Sequence, residues 1–91
     1  MLGNWEIKFD SEALEDLLKL NPHVQNQILK YLKERLAIRH NPKTMGKPLV
    51  GTKSGLWRYR VGDYRIICEI KNKELLILVI TVGHRREIYK H

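Results

Sequence analysis

The sequence predicts an α+β domain: an N-terminal strand, a helical hairpin, then a three-stranded antiparallel meander, forming one four-stranded sheet with helices on one face. Three observations lead there. Leu56 to Ile70 begins with strict alternation, Trp57, Tyr59 and Val61 on one side and Arg58 and Arg60 on the other, and turns at Gly62-Asp63. Two apolar stripes at helical spacing meet at Asn21-Pro22. Leu75 to Val82 is an almost unbroken apolar run, the mark of a strand buried on both faces and central in its sheet.

The elements follow in order. Trp5, Ile7 and Phe9 alternate with Glu6 and Lys8 as a short strand with one buried face. Asp10 or Ser11 caps a helix whose stripe is Ala13, Leu14, Leu17 and Leu18. Asn21 caps a second helix, Pro22 takes its first turn, and the helix runs to about Ile38 with Val24, Ile28, Tyr31, Leu32 and Leu36 facing the core. Residues 39–55 have no period, two prolines, three glycines and four Lys/Arg, and read as a long basic connection. Leu49 is expected to tie it to the core. Lys71-Asn72-Lys73-Glu74 is the second turn, and Gly83 is expected to end the last strand. Residues 84–91 form a short basic tail that leaves the central strand near the hairpin.

The 91 residues are expected to form a single domain, 1–91, and 43% hydrophobic with 30% charged residues is ordinary for a packed protein. Cys68 is the one cysteine, so no intrachain disulfide is possible, and alternation places it on the core side. No signal peptide and no apolar stretch of membrane-spanning length is read, so the expected location is cytoplasmic, with no membrane partner. Charge is unevenly spread. Residues 1–37 carry five Lys/Arg and six Asp/Glu, whereas residues 38–91 carry twelve and four, within a total of +7. A basic half of this kind suits nucleic acid, and an acidic protein surface would be served equally well.

The hairpin carries the sharpest signal. A two-residue turn sets Arg60 opposite Arg65 and Arg58 opposite Ile67, so Arg58, Arg60 and Arg65 share a face. Like charges directly opposed destabilise a strand pair. An anionic ligand would resolve the repulsion, and phosphate matches the planar, bidentate guanidinium; a merely solvated outer face would show the same pattern. Glu69 falls on this face as a possible ion partner. Lys43, Lys47 and Lys53 in the long connection, and Arg86 in the tail, are candidate RNA or phosphate contacts.

No zinc spacing and no Gly-rich phosphate loop occurs, so no metal and no cofactor is expected. The remaining parts, Arg58, Arg60, Arg65, Arg85, Arg86, His84 and Tyr89, suit metal-free RNA cleavage. There the 2′-hydroxyl is the nucleophile and arginines stabilise charge on phosphorus. His84 and Tyr89 are the groups able to move protons.

Gly55–Ile67, Gly-Leu-Trp-Arg-Tyr-Arg-Val-Gly-Asp-Tyr-Arg-Ile-Ile, and Ile80–Tyr89, Ile-Thr-Val-Gly-His-Arg-Arg-Glu-Ile-Tyr, together resemble the RelE branch of the RelE/ParE toxin superfamily. The resemblance runs along the whole chain. It implies a type II toxin–antitoxin system, a toxin that cleaves mRNA in the ribosomal A site without a metal, and a cognate RelB-like antitoxin that wraps around it. The 70S ribosome and mRNA are then the other partners. The resemblance assigns phosphate binding, polarisation and proton transfer to Arg58, Arg60, Arg65, Arg85 and Tyr89. It departs at Arg58 and Arg60, where well-known RelE members carry lysines able to exchange protons. Two other readings stand beside it: a ParE-like poison of DNA gyrase, and a catalytically degenerate RNA-binding homologue.

Overall fold

The computed structural model describes residues 4–51 and 54–88; Lys53 and Tyr89 lie outside them. The chain runs β1 (Glu6–Phe9), α1 (Ser11–Leu18), α2 (Pro22–Lys30), a wide π-helical continuation (Tyr31–Leu36), a 3₁₀ turn (Pro42–Met45), β2 (Lys47–Pro48), β3 (Leu56–Val61), β4 (Tyr64–Lys71), a second 3₁₀ turn (Asn72–Glu74), β5 (Leu76–His84) and α3 (Arg85–Ile88). The sheet has five strands in the order β1-β5-β4-β3-β2. The expected count of four is thus corrected by one: a two-residue strand lies inside the supposedly irregular basic connection.

β5 is an interior strand flanked on both sides, as its apolar run requires, with β1 parallel on one side and β4 antiparallel on the other; the middle strand of the five is β4. The helices cover one face. Their buried residues, Ala13, Leu17, Ile28, Leu32 and Leu36, pack with Tyr59, Ile66, Cys68, Ile77, Val79 and Val82 from the sheet. Local signals work as read. Asp10 Oδ1 accepts the Glu12 N–H at 3.2 Å, and Asn21 Oδ1 accepts the Val24 N–H at 3.0 Å. The α1 stripe is narrower than expected, because Leu14 and Leu18 are exposed. With only eight residues, α1 presents two inward positions, Ala13 and Leu17.

Three boundary expectations change. Leu75 is not in the strand; it adopts a left-handed conformation (φ 49°) and is exposed. β5 continues through Gly83 to His84. The basic connection is tied down by Pro42, which is fully buried, and not by Leu49, which is only half-buried. The Tyr59 hydroxyl donates to the Pro42 carbonyl at 2.9 Å, inside the core. Gly46 lies directly on the same ring. A Cβ there would stand 2.7 Å from Tyr59 Cε1, so the glycine serves a close approach and not an unusual backbone angle. Among the described residues no helix is long and apolar enough to cross a membrane.

Candidate phosphate-binding site

The β3–β4 register is the one alternation predicts: Val61 opposite Tyr64, Arg60 opposite Arg65, Tyr59 opposite Ile66, Arg58 opposite Ile67. Gly62 supplies the turn with φ 57°. Arg58, Arg60 and Arg65 therefore stand together on the face away from the helices. β2 extends that face, because Lys47 is paired with Arg58 across the β2–β3 ladder. Met45, Lys47, Arg58, Arg60 and Arg65 line one open depression of about 280 Å³.

The arginines are held unequally. Arg65 Nη1 donates to the carbonyls of Gly62 and Tyr64 at 3.2 and 3.1 Å, which fixes its guanidinium at the hairpin turn. Arg60 is exposed. Among the described residues no carboxylate lies within ion-pair distance of Arg60 or Arg65. Glu69 shares their face but stands opposite Leu56 and Leu78, and it neutralises neither. Opposed cations without an acid between them leave an electropositive surface for an anion.

Arg85 reaches the same turn from the neighbouring strand, because β5 ends at His84 opposite Tyr64. Its backbone N–H donates to the Asp63 carbonyl at 2.8 Å, and its Nε lies 3.8 Å from Asp63 Oδ1. The sequence marks Asp63 only as a turn residue. In the structure it places Arg85 beside the turn that holds Arg65.

His84 lies elsewhere. Along β5 the register jumps from Ile67 opposite Thr81 to Cys68 opposite Val79, leaving Ile80 without a partner in β4. This bulge inverts the alternation. Val82 and His84 turn to the helix face, whereas simple alternation from Val79 would have set them among the arginines. The His84 ring meets Tyr64 edge-on, with centroids 5.5 Å apart, and lines a separate depression with Asp16, Lys19 and Glu87. Its Nδ1 accepts the Arg86 N–H at 3.2 Å, capping α3. His84 is therefore a capping residue on the far side of the sheet, and Arg86 is an exposed residue of the helix it caps.

The lysines also separate. Lys47 joins the arginines. Lys43 places its ammonium 5.6 Å from the Trp57 ring centroid and lies outside the depression. On the helix side, burial pushes the Tyr31 and Tyr59 phenols and the Cys68 thiol upward.

Known proteins complete the picture. A family model described as the ParE toxin of type II toxin–antitoxin systems matches residues 7–89. The chain belongs to this toxin family. Toxin RelG of Mycobacterium tuberculosis is 28% identical over 86 residues, covering 94% of this chain and 97% of its own. Among solved structures, a chain of the Mycobacterium tuberculosis toxin–antitoxin complex RelBE2 superposes with a TM-score of 0.85 at 25% identity, covering 96% of this toxin and 98% of that chain. The isolated Escherichia coli RelE toxin gives 0.69 at 26% identity, covering 93% and 90%. The toxin is RelE-like in sequence and in fold.

Proposed function

We propose that this toxin is an endoribonuclease that cleaves mRNA in the ribosomal A site and so arrests translation. The observation that supports it is the depression in which Lys47, Arg58, Arg60 and Arg65 converge on the free face of the sheet. The RNA supplies its own nucleophile, the 2′-hydroxyl. The protein's task is to bind the scissile phosphate and stabilise the charge gathering on its non-bridging oxygens, which fixed guanidiniums do without reorganising. In this reading Arg65, held by the turn carbonyls, positions the phosphate. Arg58 and Arg60 bear on its oxygens, and Arg85 approaches from the Asp63 side. Tyr89, outside the described residues, stays a candidate proton carrier through its phenol and through the resemblance.

The partner in this reading is a RelB-like antitoxin. Several matching structures are toxin–antitoxin complexes, among them RelBE of Escherichia coli and RelB-RelE of Methanococcus jannaschii. The antitoxin would cover the cationic face and lay a helix on the toxin.

Primer extension on a defined message in programmed ribosomes tests the activity. Cleavage within the A-site codon is expected from the wild type and not from a folded Arg65→Ala variant. A folded, antitoxin-free wild type that leaves the message intact overturns the reading. Inhibition of DNA gyrase supercoiling by that same preparation would then favour the gyrase-poison alternative.

A further inference from the structure

We propose that Lys47 is the proton donor to the leaving group in this site, an assignment that rests on the ribonuclease reading above. The sequence places Lys47 in an aperiodic connection, as one of several lysines near a polyanion. The structure places it in β2, directly opposite Arg58. Directly opposed residues in an antiparallel pair share a face. Lys47 therefore stands in the same depression as Arg58, Arg60 and Arg65.

The chemistry of that lining singles it out. Of the five described residues around the depression, three are guanidiniums, which do not give up a proton in a protein, and one is a thioether. Lys47 is the remaining one and the only exchangeable acid of the five.

Its backbone is fixed in place. Gly46, immediately before it, lies against the Tyr59 ring, and that buried ring is bonded through its hydroxyl to the Pro42 carbonyl. Pro48, immediately after it, pairs with Trp57. The ammonium thus projects from a strand secured on both sides. Among the described residues no carboxylate lies within ion-pair distance of it.

The step balances as follows. The 2′-oxygen attacks phosphorus, the O2′–P bond forms and the P–O5′ bond breaks. The products are a 2′,3′-cyclic phosphate and a 5′-hydroxyl. The 2′-hydroxyl proton passes to solvent water. The departing 5′-oxygen takes its proton from Lys47 Nζ, a downhill transfer because an alkoxide is a far stronger base than an amine. The neutral Lys47 amine then regains a proton from solvent.

Lys47→Arg separates this role from charge, because arginine preserves the cation and removes the exchangeable proton. The assay uses the full chain and programmed ribosomes. It compares two messages, one ordinary and one with sulfur replacing the bridging 5′-oxygen at the scissile position. A thiolate leaves without protonation. On the ordinary message Lys47→Arg is expected to lower kcat by about 10²- to 10⁴-fold with KM nearly unchanged, the usual range for a lost general acid. On the sulfur-bridged message the variant is expected to approach the wild type. Wild-type rates for Lys47→Arg on the ordinary message would overturn the assignment and leave Lys47 as a phosphate contact. So would a large kcat defect that sulfur does not relieve. A wild type that cleaves neither message overturns the ribonuclease reading along with it, and so is distinguishable from failure of Lys47 alone.

Discussion

The two faces of the β3–β4 hairpin are built from the same dozen residues and obey opposite rules. On the helix side Tyr59, Ile66 and Cys68 are almost wholly buried. On the other side Arg58, Arg60 and Arg65 crowd like charges into an open depression. The first face gains stability from every methyl group removed from water. The second gives up stability to keep cations together. A strand's alternation thus separates folding from function at a spacing of one residue. Adjacent substitutions should report on different properties.

The strongest test of this separation uses neighbours. Ile66→Ala should lower stability by about 2–5 kcal/mol in denaturant melts, because the cavity lies in the packed core. Arg65→Ala should leave stability within about 0.5 kcal/mol while abolishing RNA cleavage, since its side chain bonds only to turn carbonyls at the surface. Equal losses of stability in the two variants would break the comparison.

Next come the residues that connect the faces. Tyr59→Phe removes the donor to the buried Pro42 carbonyl and should cost about 1–3 kcal/mol. Gly46→Ala forces a methyl group onto the buried Tyr59 ring and should cost a similar ~1–3 kcal/mol. Both should also slow RNA cleavage, because Lys47 moves with Gly46. A variant that loses stability and cleaves normally would separate β2 from the site.

Alkaline pH probes the helix face. Burial raises the folded Cys68 thiol above its ordinary 9.0. Stability from this group is therefore complete below about pH 9. Above it the unfolded thiol ionises and the folded one does not, and stability falls by about 1.4 kcal/mol per pH unit. The raised Tyr59 phenol adds to the decline above its ordinary 10.0. In Cys68→Ala the onset should move upward by about one unit in melts taken from pH 7 to 11.

The smallest effect is expected at His84. Asparagine accepts the N–H of a capped helix well. His84→Asn should therefore preserve the protection of the Arg86 amide in hydrogen exchange, whereas His84→Phe should lose it. Neither should change global stability by more than about 1 kcal/mol. An equally protected Arg86 amide in the phenylalanine variant would remove the capping role.

The hairpin register is legible in the sequence because a two-residue turn leaves no freedom in it, and the buried strand because nothing but burial explains seven apolar residues among the eight from Leu75 to Val82. The capping residues Asp10 and Asn21 are equally legible, being local. β2 is not. Two residues ending in proline carry no periodicity, and Lys47 acquires its meaning only from a ladder partner far along the chain. His84 fails for another reason. The bulge at Ile80 has no glycine or proline to mark it, yet it inverts every side chain after it. Tyr59 offered a usable signal: a phenol on a core face needs a hydrogen-bond partner, and a Gly next to an aperiodic lysine is where that partner's loop comes close.

The position of β5 bears on how the protein is made. Residues 6–9 find their only strand partner in residues 76–79, and β4, already paired with β3, lacks its second neighbour until then. The strand completing the sheet is the last to leave the ribosome. A nascent chain interrupted before it holds two unsatisfied pieces of sheet and an open core, and such long-range pairing delays folding to the end of synthesis. Under the proposed activity this has a regulatory consequence. A message cut anywhere upstream of codon 76 yields no folded toxin, so the completed protein curtails its own production.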